Sequence, residues 1–286
     1  MTFLKILPTI HIHPLLIIFL FIGFITGTFM EIVIMLGIVL FHELGHYLMA
    51  ISFKWRINSI TLWVFGGVMD TEEHGSRPVY EEALVSIAGP FQHAFIYLFI
   101  IIVTPMGIIP YSVMEIIIYY NNVILLFNLL PVWPLDGGKF VFTILSGLIP
   151  FKKAHRIMVL TSICIAASIL FIQLVVFPFT MSAVFIMLFI LVENRTEWKQ
   201  HYYVFLRFLS NRFYKENDAR KTTSIKVAKD CTLFEVFSLF IRGKKHTIHI
   251  TYDDGRETSI DERECLRSYF QEKHYNITVE DIERTG

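Results

Sequence analysis

Phe41-His42-Glu43-Leu44-Gly45-His46-Tyr47 lies inside an apolar run, residues 32–53, that is long enough to cross a membrane. An α-helix turns once in about 3.6 residues, so His42 and His46 leave one face a single turn apart and can share a metal ion. Glu43 follows the first histidine and is placed to act on a water rather than to bind the metal. Two imidazoles and a carboxylate are costly in hydrocarbon. Ionisable residues at that depth therefore face the protein interior and mark chemistry. The bland alternative is a chance pattern, and chance placement in the middle of a spanning segment is rarer still.

Composition agrees with a membrane protein. Of the 286 residues 54% are hydrophobic and only 17% are charged, against about 25% charged in soluble proteins, and the mean hydropathy is +0.56. The formal net charge of zero argues against direct binding of nucleic acid. Cys164, Cys231 and Cys265 are widely spaced and give neither a zinc knuckle nor a disulfide framework. Behind the first apolar run there is no small-residue cleavage site, so that run is expected to remain as an anchor.

Six spanning helices are expected, over residues 14–30, 31–53, 81–103, 112–130, 155–176 and 179–192. Lys54, Arg56 and Arg77 fall between the second and third; Lys139, Lys152, Lys153 and Arg156 fall around the connection from the fourth to the fifth; Arg195, Lys199 and Arg207 follow the sixth. The other three connections carry no Lys or Arg. The basic loops thus share one side, which predicts a multi-pass protein in the lipid bilayer with both termini cytosolic. Residues 59–70 alternate in part and reach Phe65-Gly66-Gly67. They read either as a short strand or hairpin dipping toward the membrane or as an ordinary loop.

Residues 194–222 are rich in aromatic and basic side chains and suit a helix near the cytosolic surface or an amphipathic linker. Beyond them, 224–227 reads as a strand, 232–241 as a helix, 246–252 as an alternating strand, Asp253-Asp254-Gly255 as a turn and 261–272 as a helix. The expected fold class is therefore a membrane α-helical domain with six transmembrane helices, residues 1–193, a linker over 194–222, and a small cytosolic α/β module over 223–286.

A catalytic zinc takes three protein ligands, and the histidine motif supplies two. Glu31, Glu81, Glu82 and Glu193 sit at helix ends, and Glu115 lies near the non-cytosolic side. Asp136 differs. It lies in Asn128-Leu129-Leu130-Pro131-Val132-Trp133-Pro134-Leu135-Asp136-Gly137-Gly138, where two prolines interrupt helical hydrogen bonding and two glycines permit an unusual backbone. Such backbone at membrane depth must be buried in protein or line a watery cavity. A helix-end cap at the membrane surface is the alternative, but the depth of Asp136 matches that of His42 and His46.

These two motifs together resemble the signatures of the site-2 protease family of intramembrane zinc metalloproteases. Ile87-Ala88-Gly89-Pro90 is similar to a third family element. The C-terminal strand–helix–strand–helix resembles a cystathionine-β-synthase-type regulatory module, an arrangement like that of the family's sporulation branch. The resemblance implies one zinc ion held by His42, His46 and Asp136, Glu43 as catalytic base, and Asn128 near the substrate or oxyanion. It also implies a membrane-associated sigma-factor precursor, that of sigma-K, as substrate. Membrane-protein inhibitors or regulators are the implied partners, and the mother-cell membrane around the forespore is the implied location. ATP is the candidate ligand of the C-terminal module, and pairing of modules between two chains is the candidate route to a homo-oligomer.

Two departures stand out. Where many family members have Asn, three residues past the Ala-Gly-Pro proline, this chain has His93, which reads either as a hydrogen-bond donor behind a ligand or as a packed helix histidine. The PDZ domain of many bacterial members has no room here, so substrate selection must differ. A membrane metal-ion transporter using the same His/Asp site is the rival function. Glu43 beside the ligands and the lack of inverted repeats argue against it. An iron-using lipid hydroxylase would need more clustered histidines, and an inactive scaffold would not need the intact site residues.

Overall fold

Phe24, Ile101, Leu126 and Phe171 are each more than half exposed on predominantly apolar helices, a surface that lipid covers well. A computed structural model describes residues 9–63, 66–71, 73, 75, 77–176, 180–214, 222–252 and 256–285. The readings at Val64-Phe65, Phe177-Pro178 and Asp253-Asp254-Gly255 lie outside these residues. The chain divides into two compact units, Met1–Pro131 with Leu135–Phe140, and Val132–Pro134 with Val141–Gly286.

The first unit begins with β1 (Thr9–Ile12), α1 (Pro14–Thr26) and α2 (Phe29–Ser52). Next come β2 (Ile57–Trp63), β3 (Gly66–Thr71), α3 (Val79–Val103) and α4 (Tyr111–Leu129). α5 (Asp136–Leu148) then opens on the predicted ligand. The strand reading of residues 59–70 holds. β2 and β3 pair antiparallel with Leu62 opposite Gly67, and β1 lies parallel to β2 on its other side. A four-residue strand is too short to display alternation, which is why β1 was not expected.

α2 packs on α3 at glycine distance. A Cβ on Gly45 would sit 2.5 Å from the Ala88 carbonyl oxygen, so only glycine allows the two backbones this close. α5 was also unforeseen as a helix. Its start is a tight reversal, where a Cβ on Gly137 would fall 2.4 Å from the Leu129 carbonyl oxygen.

α2, α3 with the turn after it, α4 and α6 (Phe151–Val175) are the described helices long and apolar enough to cross a membrane. The first of the six expected spans is the 13-residue α1, shorter than a bilayer requires. The sixth is the first part of α7 (Met181–Tyr214), a continuous 34-residue helix. Residues 194–214, read as linker or surface helix, are thus the second half of α7.

In the second unit α7 runs into the core of a small domain. β4 (Thr222–Ala228) pairs parallel to β5 (Lys245–Thr251), and β5 antiparallel to β6 (Glu257–Asp261). α8 (Leu233–Phe237), α9 (Glu262–Phe270) and α10 (Val279–Thr285) complete it. α8 is shorter than its pattern suggested and starts at a capping box between Thr232 and Glu235. Phe205, Phe208 and Leu209 of α7 share one apolar cluster with Leu233, Phe237, Ile248 and Leu266.

A buried polar network ties α7 to this sheet. Arg212 donates to both carboxylate oxygens of Glu262, at the start of α9, and to the Lys244 carbonyl. Ile241 N–H donates to His246 Nε2, at 3.2 Å, so His246 carries its proton on Nδ1, which faces Glu262 Oε2 at 3.1 Å. Burial alone would raise the Glu262 carboxyl, but hydrogen bonds from His246 and Arg212 outweigh it and hold the group at about 2, below its ordinary 4.5. Burial also lowers the His246 pKa, which keeps the ring neutral.

Both groups have depressed pKa values in the folded state. Their contribution is therefore present above the unfolded values and lost as pH falls through the folded ones. Protection of β5 amides in the intact chain, corrected for intrinsic exchange, should fall as pH drops from about 4.5 toward about 2. Glu262→Gln should reproduce that loss at neutral pH, since removing the carboxylate partner of a buried charge typically costs about 3–5 kcal/mol. Unchanged protection in the variant would show that the pair does not hold the domain together.

Candidate metal centre

One turn of α2 separates His42 and His46, and their Nε2 atoms lie 3.1 Å apart. Asp136 enters from the start of α5, with Oδ2 2.9 Å from each Nε2. All three side chains are buried. The three residues singled out in the sequence, as much as 94 positions apart, thus converge in space. They are the metal-capable group of His, Cys, Asp and Glu found among the described residues.

The backbone around them is arranged for close approach. A Cβ on Gly89 of α3 would lie 2.2 Å from His46 Nε2 and 2.7 Å from His42 Nε2. The glycine of Ile87-Ala88-Gly89-Pro90 therefore leaves room for both rings. In the broken segment before α5, Trp133 N–H donates to Ser162 Oγ at 2.8 Å, and the Trp133 carbonyl accepts from Asn194 Nδ2 at 2.6 Å. Side chains of α6 and α7 thus satisfy peptide groups that a helix would otherwise pair. Lys139, one turn into α5, places Nζ 3.4 Å from the other carboxylate oxygen of Asp136.

The donor set fits a cation. His46 Nδ1–H donates to the Val85 carbonyl at 2.7 Å. A carbonyl can only accept, so in the neutral ring Nε2 is bare and turns its lone pair on Asp136 Oδ2. Two lone pairs facing each other at 2.9 Å repel unless a positive charge lies between them. The separations of 2.9–3.1 Å are close to the edge of about 3.3 Å for ligands at tetrahedral zinc.

Glu43 is half-buried and outside the ligand set. Its Oε1 accepts from Gly67 N–H of β3 at 3.0 Å, and a Cβ on Gly67 would lie 2.6 Å from Glu43 Cγ. Asn128, expected near the substrate or oxyanion, lies on the last turn of α4. Its Nδ2 donates back to the Ile124 carbonyl of its own helix at 3.0 Å, and no described hydrogen bond joins it to the three converging residues. Glu115 is exposed on α4. Three parts of the site were missed in the sequence. The Val85 carbonyl and Gly67 N–H are backbone groups that any residue carries, and Asn121, which bonds His93, lacked a motif.

Comparison with known proteins identifies the family. The family model described as "Peptidase family M50" matches residues 30–108 and 105–169. The chain is 38% identical over 280 residues to Stage IV sporulation protein FB of Bacillus subtilis, covering 98% of this chain and 97% of that one. It is 31% identical over 122 residues to a zinc metalloprotease of Methanocaldococcus jannaschii, covering 42% of this chain and 35% of the other. The solved site-2 protease of Methanocaldococcus jannaschii shares its fold, with a TM-score of 0.52 and 24% identity, over 66% of this chain and 89% of that chain. The chain belongs to peptidase family M50, the site-2 proteases, and is a zinc metalloprotease of that type.

Gly89→Ala should sharply reduce the zinc that copurifies with the chain, because the added methyl displaces both histidines. Gly37→Ala, on the same α2 with open space around it, should leave zinc content unchanged. Metal analysis of the two purified variants checks this. Full zinc occupancy in Gly89→Ala would place the metal elsewhere.

Proposed function

Taking membership of peptidase family M50 as the premise, we propose that this chain hydrolyses a peptide bond of a membrane-associated precursor from the cytosolic side, with His42, His46 and Asp136 holding one zinc ion. The supporting observation is the convergence of three buried donor atoms from α2 and α5, with the Glu43 carboxylate on the residue next to His42. Zinc held there would supply Lewis acidity, lowering the pKa of a coordinated water from about 15.7 toward about 7.

The chain's own residues do the rest. Glu43 takes the proton of the attacking water and hands it to the leaving amine. Gly67 N–H fixes one oxygen of that carboxylate, which limits its rotation. The strand order β1-β2-β3 leaves β3 at the edge of its sheet, beside Glu43. An unwound substrate segment can add there as a further strand, which exposes the carbonyl that a helix would keep bonded. Asn128 lies on the last turn of α4, near the reversal that delivers Asp136. It would serve the substrate or oxyanion after releasing its bond to Ile124.

The natural substrate on this reading is the sigma-K precursor during sporulation, and the location is the mother-cell membrane around the forespore. Support comes from likeness to Stage IV sporulation protein FB along nearly the full length of both chains. Residues 223–286 would act as a regulatory or docking module, with both termini cytosolic. The transporter alternative gains nothing from the structure. Among the described residues the metal-capable group stands once, not as a pair on inverted halves.

Co-expression with the sigma-K precursor tests the assignment. Glu43→Gln should insert and retain zinc while cleavage falls by at least about 10²-fold, the low end for a general base. Near-normal cleavage by this variant would exclude Glu43 from proton transfer.

A further inference from the structure

His93 stands one turn beyond Gly89 on α3 and is fully buried. Its Nε2 lies 3.0 Å from His42 Nδ1, and its own Nδ1 lies 2.7 Å from Asn121 Oδ1 on α4. Asn121 is fully buried too, and its Nδ2 has no hydrogen-bond partner among the described residues. A buried amide hydrogen left unpaired typically costs about 1–3 kcal/mol, so such a group calls for an explanation.

The direction of the hydrogen bonds supplies one. An amide oxygen only accepts, so Asn121 Oδ1 takes the hydrogen on His93 Nδ1. Neutral His93 then has a bare Nε2, which takes the hydrogen on His42 Nδ1. Neutral His42 in turn has a bare Nε2, and this is the atom that faces His46 and Asp136. With the amide turned the other way, Asn121 would donate, His93 would donate to His42, and His42 would aim a hydrogen at Asp136, blocking a metal. His46 reaches the same orientation through a backbone carbonyl. For His42 the task falls to two side chains, and neither adds charge inside an apolar bundle.

We propose that His93 is a positioning residue, held in one tautomer by Asn121, that orients His42 and keeps its Nε2 lone pair directed into the metal site. The proposal rests on His42 being a zinc ligand. On this proposal His93 acts on His42 as an acceptor, a role distinct from both readings the sequence left open, the donor and the packed helix histidine. Partners on the outer nitrogen of metal-binding histidines commonly govern affinity by about 10–100-fold.

The test uses the purified full-length protein, with zinc affinity measured by chelator competition and the ligand field read from the visible spectrum of the cobalt-substituted form. His93→Leu should weaken zinc about 10–100-fold and alter the cobalt spectrum. His93→Gln, whose side-chain oxygen can still accept from His42, should recover most of the loss, and Asn121→Leu should lose less than His93→Leu. In a His42→Ala background, His93→Leu should cause no further loss, because its effect travels through His42. Wild-type affinity and spectrum in His93→Leu would overturn the proposal. So would an undiminished additional loss in the His42→Ala background, the mark of a merely structural role. If His93→Leu does not accumulate, Asn121→Leu in the two backgrounds gives the same comparison. Zinc affinity untouched by His42→Ala alone would overturn the ligand reading itself, and this proposal with it.

Discussion

Three lone-pair-bearing atoms, His42 Nε2, His46 Nε2 and Asp136 Oδ2, lie within 3.1 Å of one another inside an apolar helical unit, and such a cluster is unstable without a compensating positive charge. The demands of that cluster account for much of the surrounding structure. The rings need space, which the absent side chain of Gly89 provides. Helices α2 and α3 must approach closely, which Gly45 permits. The carboxylate must arrive from a distant segment at the same depth, which requires a broken helix and a reversal tight enough that Gly137 is needed. The two outer imidazole nitrogens must be paired away from the cluster, and the Val85 carbonyl and His93 occupy those positions.

The same physics explains why the break in the chain is tolerated. Backbone leaving α4 loses its helical partners where water is scarce, and each unpaired peptide group there would be costly. Ser162 and Asn194 meet both polar groups of Trp133. Farther along, α7 extends from apolar residues into a small α/β domain whose core it enters through Phe205, Phe208 and Leu209. Arg212, Glu262 and His246 close that junction with hydrogen bonds rather than a flexible tether.

Much of this was legible in the residues because each feature had a local cause. The turn spacing of His42 and His46, the proline–glycine break around Asp136 and the alternation of β5 follow from periodicity and backbone chemistry. What escaped notice depended on contacts between distant segments. β1 gains its identity only by pairing with β2, and the continuity of α7 by its share in a second core. Asn121 looks like any polar residue near the middle of a helix until His93 is found 2.7 Å away. Asn128 shows the converse. Its motif implied a place near the substrate, while its side chain makes a local hydrogen bond back to the Ile124 carbonyl of its own helix, which the motif does not announce.

X-ray absorption at the zinc edge, on the purified full-length chain, probes the metal centre most directly. One zinc per chain should show a first shell of nitrogen and oxygen at about 2.0–2.2 Å, with the outer scattering of two imidazoles and no sulfur. Zinc far below one per chain, a thiolate distance near 2.3 Å, or a shell lacking two imidazoles would contradict the assignment of His42, His46 and Asp136.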